Sequence, residues 1–157
     1  DLAYVTDAEN NRLRIYKIDG TFVRSITSCG DMAFNRPLGV AVSNGLVFVV
    51  DSGNHRICVF LADGTFVWCW GSKGDARGQF LSPSGVAVCN QLVHVTDRER
   101  QRITSFTMNG KLVDFCGASH ADRFDFTDIA VAEDVRYVTN QLHHSVTVFE
   151  PDRGADK

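Results

Sequence analysis

Three aspartate–arginine pairs, each five residues apart, are the most regular set of charged side chains in the chain. The pairs are Asp7 with Arg12, Asp51 with Arg56, and Asp97 with Arg102, and a fourth copy has Asn140 and Ser145 instead. A carboxylate this near a guanidinium forms a charge-assisted pair or caps the amides of a turn. Because the fourth copy has lost both partners together, we interpret the three pairs as structural.

The residues between the two partners differ from copy to copy. Variable loops on a repeated scaffold are where binding specificity is usually found. Arginines and histidines make this edge basic, so it suits an acidic protein or the phosphates of RNA. The absence of aromatic side chains for base stacking favours the protein. We predict a binding face that includes Asn11, Asn54, His55, Arg98, Arg100, Gln101, His143 and His144.

The histidines predict no metal site, no cofactor and no catalytic residue. Adjacent residues of an extended segment, such as His143 and His144, point in opposite directions and rarely share a metal ion. His120 stands alone before the last copy. His94 occupies a position that is Tyr or Phe in the other copies, so we expect a packed ring.

The five cysteines form no Cys-x-x-Cys motif and stand in no nucleophile motif. Most lie in or beside apolar segments, and we interpret them as small buried thiols in a reducing compartment, the cytoplasm. Disulfides are the alternative, and a zinc cluster comes third because the spacing is wrong for one.

Composition indicates one globular domain, residues 1–157. The chain is 44% hydrophobic and 22% charged, which is ordinary for such a domain. The formal net charge of −3 gives no overall attraction to nucleic acid. No apolar run approaches the roughly 20 residues of a membrane helix, so we expect no membrane insertion.

A repeat of about 45 residues organises the chain. In the clearest copy, short apolar segments cover Gly39–Val42, Leu46–Val50, Arg56–Phe60 and Phe66–Trp70. Each segment is too short for a helix and is bounded by turn residues. The turns are Asn-Gly or Asp-Gly pairs, for which we expect type I′ hairpins with positive φ at both residues. Four antiparallel strands per repeat describe a blade of a β-propeller.

The sequence therefore predicts an all-β partial propeller of about three and a half blades. The repeats are approximately 1–36 (partial), 37–82, 83–125 and 126–157 (partial), with three, four, four and three strands. Such an arc leaves two apolar blade faces open. We expect further blades of a larger propeller to cover them, with a second copy of the chain as the alternative.

The clearest copy resembles an NHL repeat. The resemblance rests on Val49–Ile57, which includes Asn54-His55, on Asp63-Gly64 and Trp70-Gly71, and on Gly78–Phe80 followed by Pro83. It implies a propeller, commonly of six blades, that binds protein or RNA and often ends a ubiquitin ligase of the tripartite-motif type. A minority of the family are enzymes such as the peptide-amidating lyase.

Our leading expectation is a non-catalytic protein-binding platform. The alternatives are an RNA-binding propeller, with a possible role in substrate recognition by a ubiquitin ligase, and a metal-dependent lyase-like enzyme.

Overall fold

The computed structural model describes residues 1–117, 124–133 and 135–150. Blade 1 consists of β1 (Leu2–Asp7), β2 (Arg12–Lys17) and β3 (Phe22–Ile26). A short hairpin, β4 (Ser28–Cys29) and β5 (Met32–Ala33), leads to blade 2, which consists of β6 (Pro37–Ser43), β7 (Leu46–Asp51), β8 (Arg56–Leu61) and β9 (Phe66–Trp70). Blade 3 consists of β10 (Pro83–Cys89), β11 (Leu92–Asp97), β12 (Arg102–Thr107) and β13 (Leu112–Gly117). Blade 4 consists of β14 (Phe126–Ala132), β15 (Val135–Asn140) and β16 (Ser145–Phe149).

Every blade is an antiparallel sheet whose strands neighbour one another in chain order. The sheets have three, four, four and three strands, and they do not close into a ring. A 3₁₀ turn at Ser52–Asn54 is the only helical element among the described residues. The prediction of an all-β partial propeller is confirmed. In the described part of the chain, nothing has the length and apolar character that a membrane-spanning helix needs.

The hairpin turns are of two kinds, and one of them differs from our prediction. Asn44 and Gly45 have φ of 51° and 74°, as a type I′ turn requires. In the Asp-Gly turns only the glycine is left-handed, with φ of 88° at both Gly20 and Gly64. The amide of Gly20 donates to the carbonyl oxygen of Lys17 at 2.9 Å, and the amide of Lys17 donates to the carbonyl oxygen of Thr21 at 2.8 Å. These turns are therefore type I turns closed by a glycine bulge.

Glycines set the spacing of the inner strands, which are β6, β10 and β14. A Cβ at Gly39 would lie 2.7 Å from the carbonyl oxygen of Ser84 in the next blade. A Cβ at Gly85 would lie 2.7 Å from the Cα of Asp128. Neighbouring inner strands therefore touch backbone to backbone, which only glycine permits.

Apolar clusters between the blades form the core. Between blades 2 and 3, the Trp70 ring lies 6.3 Å from Phe48 and 5.7 Å from Phe106. Trp68 packs on the same cluster, as its spacing from Trp70 predicts. His94 is buried and its Nδ1 lies 2.9 Å from the Ser105 hydroxyl, so the expected packed ring is observed.

The outer faces of blades 1 and 4 are open. Val5 and Phe22 are exposed on blade 1, and Val146 and Val148 are exposed on blade 4. The Arg14 guanidinium lies 5.1 Å from the centre of the Phe22 ring and covers part of the first face. These are the two faces that the strand count predicted.

The cysteine interpretation requires a correction. Cys29 of β4 and Cys58 of β8 form a disulfide, which fastens the hairpin before blade 2 to the core of that blade. Cys69, Cys89 and Cys116 are free. Cys69 is exposed rather than buried. Burial raises the pKa of the Cys116 thiol, although the neighbouring Arg136 opposes the shift.

Candidate binding face

The loops between the second and third strand positions of the blades lie at the same end of the sheets. They comprise residues 8–11, 52–55, 98–101 and 141–144. The segments that link the blades reach this same end, at residues 27–36, 71–82 and 124–125. We call the surface formed by these loops and links the loop face.

The acidic residue of each repeat fastens a link to its own blade. A backbone amide of the link donates a hydrogen bond to its side-chain oxygen in blades 2, 3 and 4. The bonds join Asn35 N to Asp51 (2.8 Å), Leu81 N to Asp97 (2.8 Å) and Asp125 N to Asn140 (3.1 Å). Asn140 accepts this bond as the aspartates do, so the position serves the link even where the arginine is missing.

Two of the three predicted pairs are ion pairs. The Nε atoms of Arg12 and Arg56 lie 2.8 Å from the Oδ2 atoms of Asp7 and Asp51. The pKa of the Asp7 carboxyl lies below its usual range, because Asn10 and then Arg12 donate hydrogen bonds to it.

The third predicted pair is not formed. Asp97 accepts the amides of Leu81 and Ser82 instead, with both carboxylate oxygens occupied. Arg102 donates to the carbonyl oxygen of Gln79 at 2.7 Å. Burial, together with the charge of Arg100, lowers the pKa of the Arg102 guanidinium. Asp97 and Arg102 therefore both bond to the backbone of the link before blade 3 instead of to each other.

The two arginines that made this edge basic in the sequence are neutralised by carboxylates. Arg98 forms a two-pronged pair with Asp125 of the link before blade 4, at 2.6 and 2.7 Å. Hydrogen bonding to Asp125 raises the pKa of Arg98. Arg100 pairs with Asp75 of the link before blade 3. The loop face is therefore less basic than the sequence indicated.

Three further residues of the predicted binding set hold the links in place. Asn11 Oδ1 accepts the amide of Arg36 at 2.6 Å. Asn54 Nδ2 donates to the carbonyl oxygen of Ala33 at 2.9 Å. Gln101 Oε1 accepts the amide of Phe124 at 3.2 Å. Their side chains act within the fold, which leaves fewer of them to contact a partner.

The last loop residue before the third strand position is left-handed in every blade, a feature that the sequence analysis missed. The residues are Asn11, His55, Gln101 and His144, with φ of 51°, 55°, 51° and 48°. Asparagine and histidine are enriched in this conformation among residues other than glycine, whereas glutamine is not. The four residues occupy the same position of the repeat, and this shared position is the sequence signal that could have indicated a common backbone conformation.

The histidines of the loop face have different surroundings. His55 is half-buried, and its Nδ1 atom has no hydrogen-bond partner. The His143 ring lies 5.7 Å from the Phe124 ring. His144 is exposed, and His120 lies outside the described residues. Across the ranges that the structure describes, no three His, Cys, Asp or Glu side chains are grouped as metal ligands.

A cavity of about 340 Å³ opens where the inner strands reach the loop face. Its walls combine inner-strand residues such as Ser84 and Asp128 with Arg36 and Arg98 of the loop face. The Ser84 hydroxyl donates a hydrogen bond to the carbonyl oxygen of Phe126 at 2.8 Å. Because this hydroxyl joins two blades and Arg98 is paired with Asp125, Arg36 is the cation of the cavity wall that is most able to meet a ligand.

The same architecture occurs in solved propeller structures. The chain is similar to a catalytically inactive virginiamycin B lyase from Staphylococcus aureus with quinupristin (TM-score 0.68, 13% identity, 97% of this chain and 53% of that one). It is also similar to BamB from Moraxella catarrhalis (0.65, 11%, 95% and 40%) and to the computationally designed Ika4 protein (0.64, 11%, 95% and 84%). The chain thus spans about half the length of the lyase. These likenesses define the class by fold, a β-propeller.

The NHL repeat model matches residues 34–60, which run from the link before blade 2 through β8. The chain is therefore a partial β-propeller in which one segment matches an NHL repeat. No curated protein matches the sequence.

Proposed function

We propose that the chain is a non-catalytic binding platform for a protein partner, which it contacts through the loop face. One observation supports this most strongly. The links are fastened to the loops and to the strand ends beside them by side chains such as Asp51, Asn54 and Gln101. A face that is rigid and also differs from blade to blade costs little entropy to present to a partner.

The alternatives have less support. RNA binding depends on cations that are free to meet phosphates, and Arg98 and Arg100 are already paired with carboxylates. A role in a ubiquitin ligase rests on the family resemblance. A lyase-like activity rests on a likeness of fold, and fold does not imply function. The cytoplasmic location stays a prediction, and the Cys29–Cys58 disulfide counts against it because disulfides are rare there.

A site-specific photocrosslinker tests the proposal in cells that express the full-length protein. We would place it at His55 on the loop face and, as the matched control, at exposed Ala62 in the hairpin turn at the other end of blade 2. We expect a discrete protein adduct from position 55 that survives ribonuclease, and no such adduct from position 62. An adduct that ribonuclease removes indicates RNA instead. Equal labelling from both positions would refute the choice of face.

A further inference from the structure

Two positions of the repeat flank each blade junction at the loop face. One is the residue directly after the aspartate of the second strand position, and the other is the last link residue before the next inner strand. In the sequence these positions are Ala8 and Arg36, Ser52 and Ser82, and Arg98 and Asp125. Ala8 and Arg36 line one cavity at the first junction. At the third junction these positions form the two-pronged guanidinium–carboxylate pair. The first junction has a guanidinium and no carboxylate.

Arg36 is held firmly by its backbone and is free at its side chain. Its amide donates to Asn11 Oδ1 at 2.6 Å, its φ is 52°, and Pro37 follows it. The residue before it is fastened to Asp51. Arg36 is exposed and forms no ion pair or side-chain hydrogen bond with any described residue. The fold thus fixes the backbone of Arg36 and leaves its guanidinium without a partner among the described residues.

The cavity beside Arg36 indicates which anion fits. Ala8 lines the same cavity, and its methyl group takes up less room than the Arg98 side chain takes up at the equivalent position of the third junction, where the carboxylate stands at the Arg36 position. Asp128 also lines the cavity and repels a doubly charged phosphate more than a singly charged carboxylate. The planar fork of an arginine matches a carboxylate with two parallel hydrogen bonds.

We infer that Arg36 binds the carboxylate of an acidic side chain from a partner protein, inserted at the first junction beside Ala8. The partner would supply there the group that Asp125 supplies to Arg98. This inference rests on the proposed function and names the chemistry of the partner segment.

The test is a titration of the full chain with three probes. Binding is monitored by NMR, through the nitrogen–proton signals of Arg36 Nε and of the Thr6 amide in the cavity wall. The probes are a blocked pentapeptide of glycine and serine with one central glutamate, the same peptide with glutamine, and inorganic phosphate. We expect the glutamate peptide to shift both signals, the glutamine peptide to shift neither, and phosphate to bind more weakly than the glutamate peptide.

Two variants locate the site. Arg36→Ser introduces the residue of the second junction, and Ala8→Glu supplies a carboxylate from within the chain. Each is expected to weaken binding of the glutamate peptide about tenfold. Lys17→Ser, which removes an exposed charge at the end of β2 away from the loop face, is the control and is expected to change nothing. Melting temperatures establish that all three variants fold.

Equal shifts with the glutamine peptide, tighter binding of phosphate, or unchanged affinity in a folded Ala8→Glu variant would overturn the inference. The photocrosslink from position 55 does not depend on Arg36. A lost crosslink therefore contradicts the platform, whereas a retained crosslink with a failed titration contradicts only the carboxylate site.

Discussion

Asp51 and Arg56 face each other across the β7–β8 pair, with Arg56 Nε 2.8 Å from Asp51 Oδ2 and both side chains buried. The same carboxylate accepts the amide of Asn35, so a single residue joins two strands and a link. The equivalent pair of blade 1, Asp7 and Arg12, has the same distance but is partly exposed. The two pairs therefore allow the effect of burial to be measured at constant geometry.

Removing the arginine is expected to cost far more in blade 2 than in blade 1. Arg56→Met leaves the buried Asp51 carboxylate without its counter-charge, which costs about 3 kcal/mol in the free energy of unfolding. Arg12→Met breaks an exposed pair and costs about 0.5 kcal/mol. Urea unfolding of both variants measures the difference. Equal losses would mean that burial of Asp51 does not strengthen the pair.

Because of the disulfide, we expect three of the five cysteines to react with a thiol reagent in the unfolded, unreduced protein. Non-reducing peptide mapping should recover Cys29 joined to Cys58. Replacing both by Ala removes a cross-link that spans 29 residues, and the chain-entropy estimate is a loss of about 3.5 kcal/mol. Cys89→Ala is the control, because that thiol is free. Five reactive thiols would contradict the disulfide and favour our first interpretation.

The inner-strand glycines are expected to tolerate no side chain. In Gly85→Ala the new methyl group meets backbone atoms of blade 4 at 2.7 Å, so the strands must separate, at a cost of about 2 kcal/mol or more. Gly20→Ala meets nothing within 4 Å and costs only about 1 kcal/mol for its φ of 88°. Thermal unfolding compares the two. A smaller loss for Gly85→Ala than for Gly20→Ala would show that the inner strands are not in contact.

Acid is expected to weaken blade 1 through Asp7. Since folding lowers the pKa of this carboxyl, its contribution to stability is complete above the unfolded value of about 4 and is lost as the pH falls below it. Asp7→Asn, which copies Asn140 of blade 4, should therefore flatten the fall in melting temperature between pH 5 and pH 3. Glu9→Gln in the same loop is the control. An unchanged slope in Asp7→Asn would place the acid sensitivity elsewhere.

The sequence pattern within a repeat predicted the features that depend on neighbouring strands of one blade. The blades, the hairpins and the pairs of Asp7 and Asp51 follow from residues that lie close together in the chain. Contacts between repeats did not follow. Arg98 finds Asp125 at a separation of 27 residues, and that meeting depends on how two blades dock.

The disulfide could not be predicted either, because spacing alone does not fix which cysteines pair. The left-handed conformation of Gln101 could not be predicted from its residue type, because glutamine has no particular preference for it.

The fastening of each link by the Asp or Asn at the end of the second strand position of its blade has a consequence for how the protein is made. The amide of Asn35 is held by Asp51, 16 residues later, and that of Asp125 by Asn140, 15 residues later. Chains leave the ribosome with the N-terminus first. The bond to this anchor can therefore form only after the second strand position of the blade has emerged. Bonds from the preceding loop, such as that of Asn11 to the Arg36 amide, can form earlier. We expect each link to be completed in two stages, in the order of the blades.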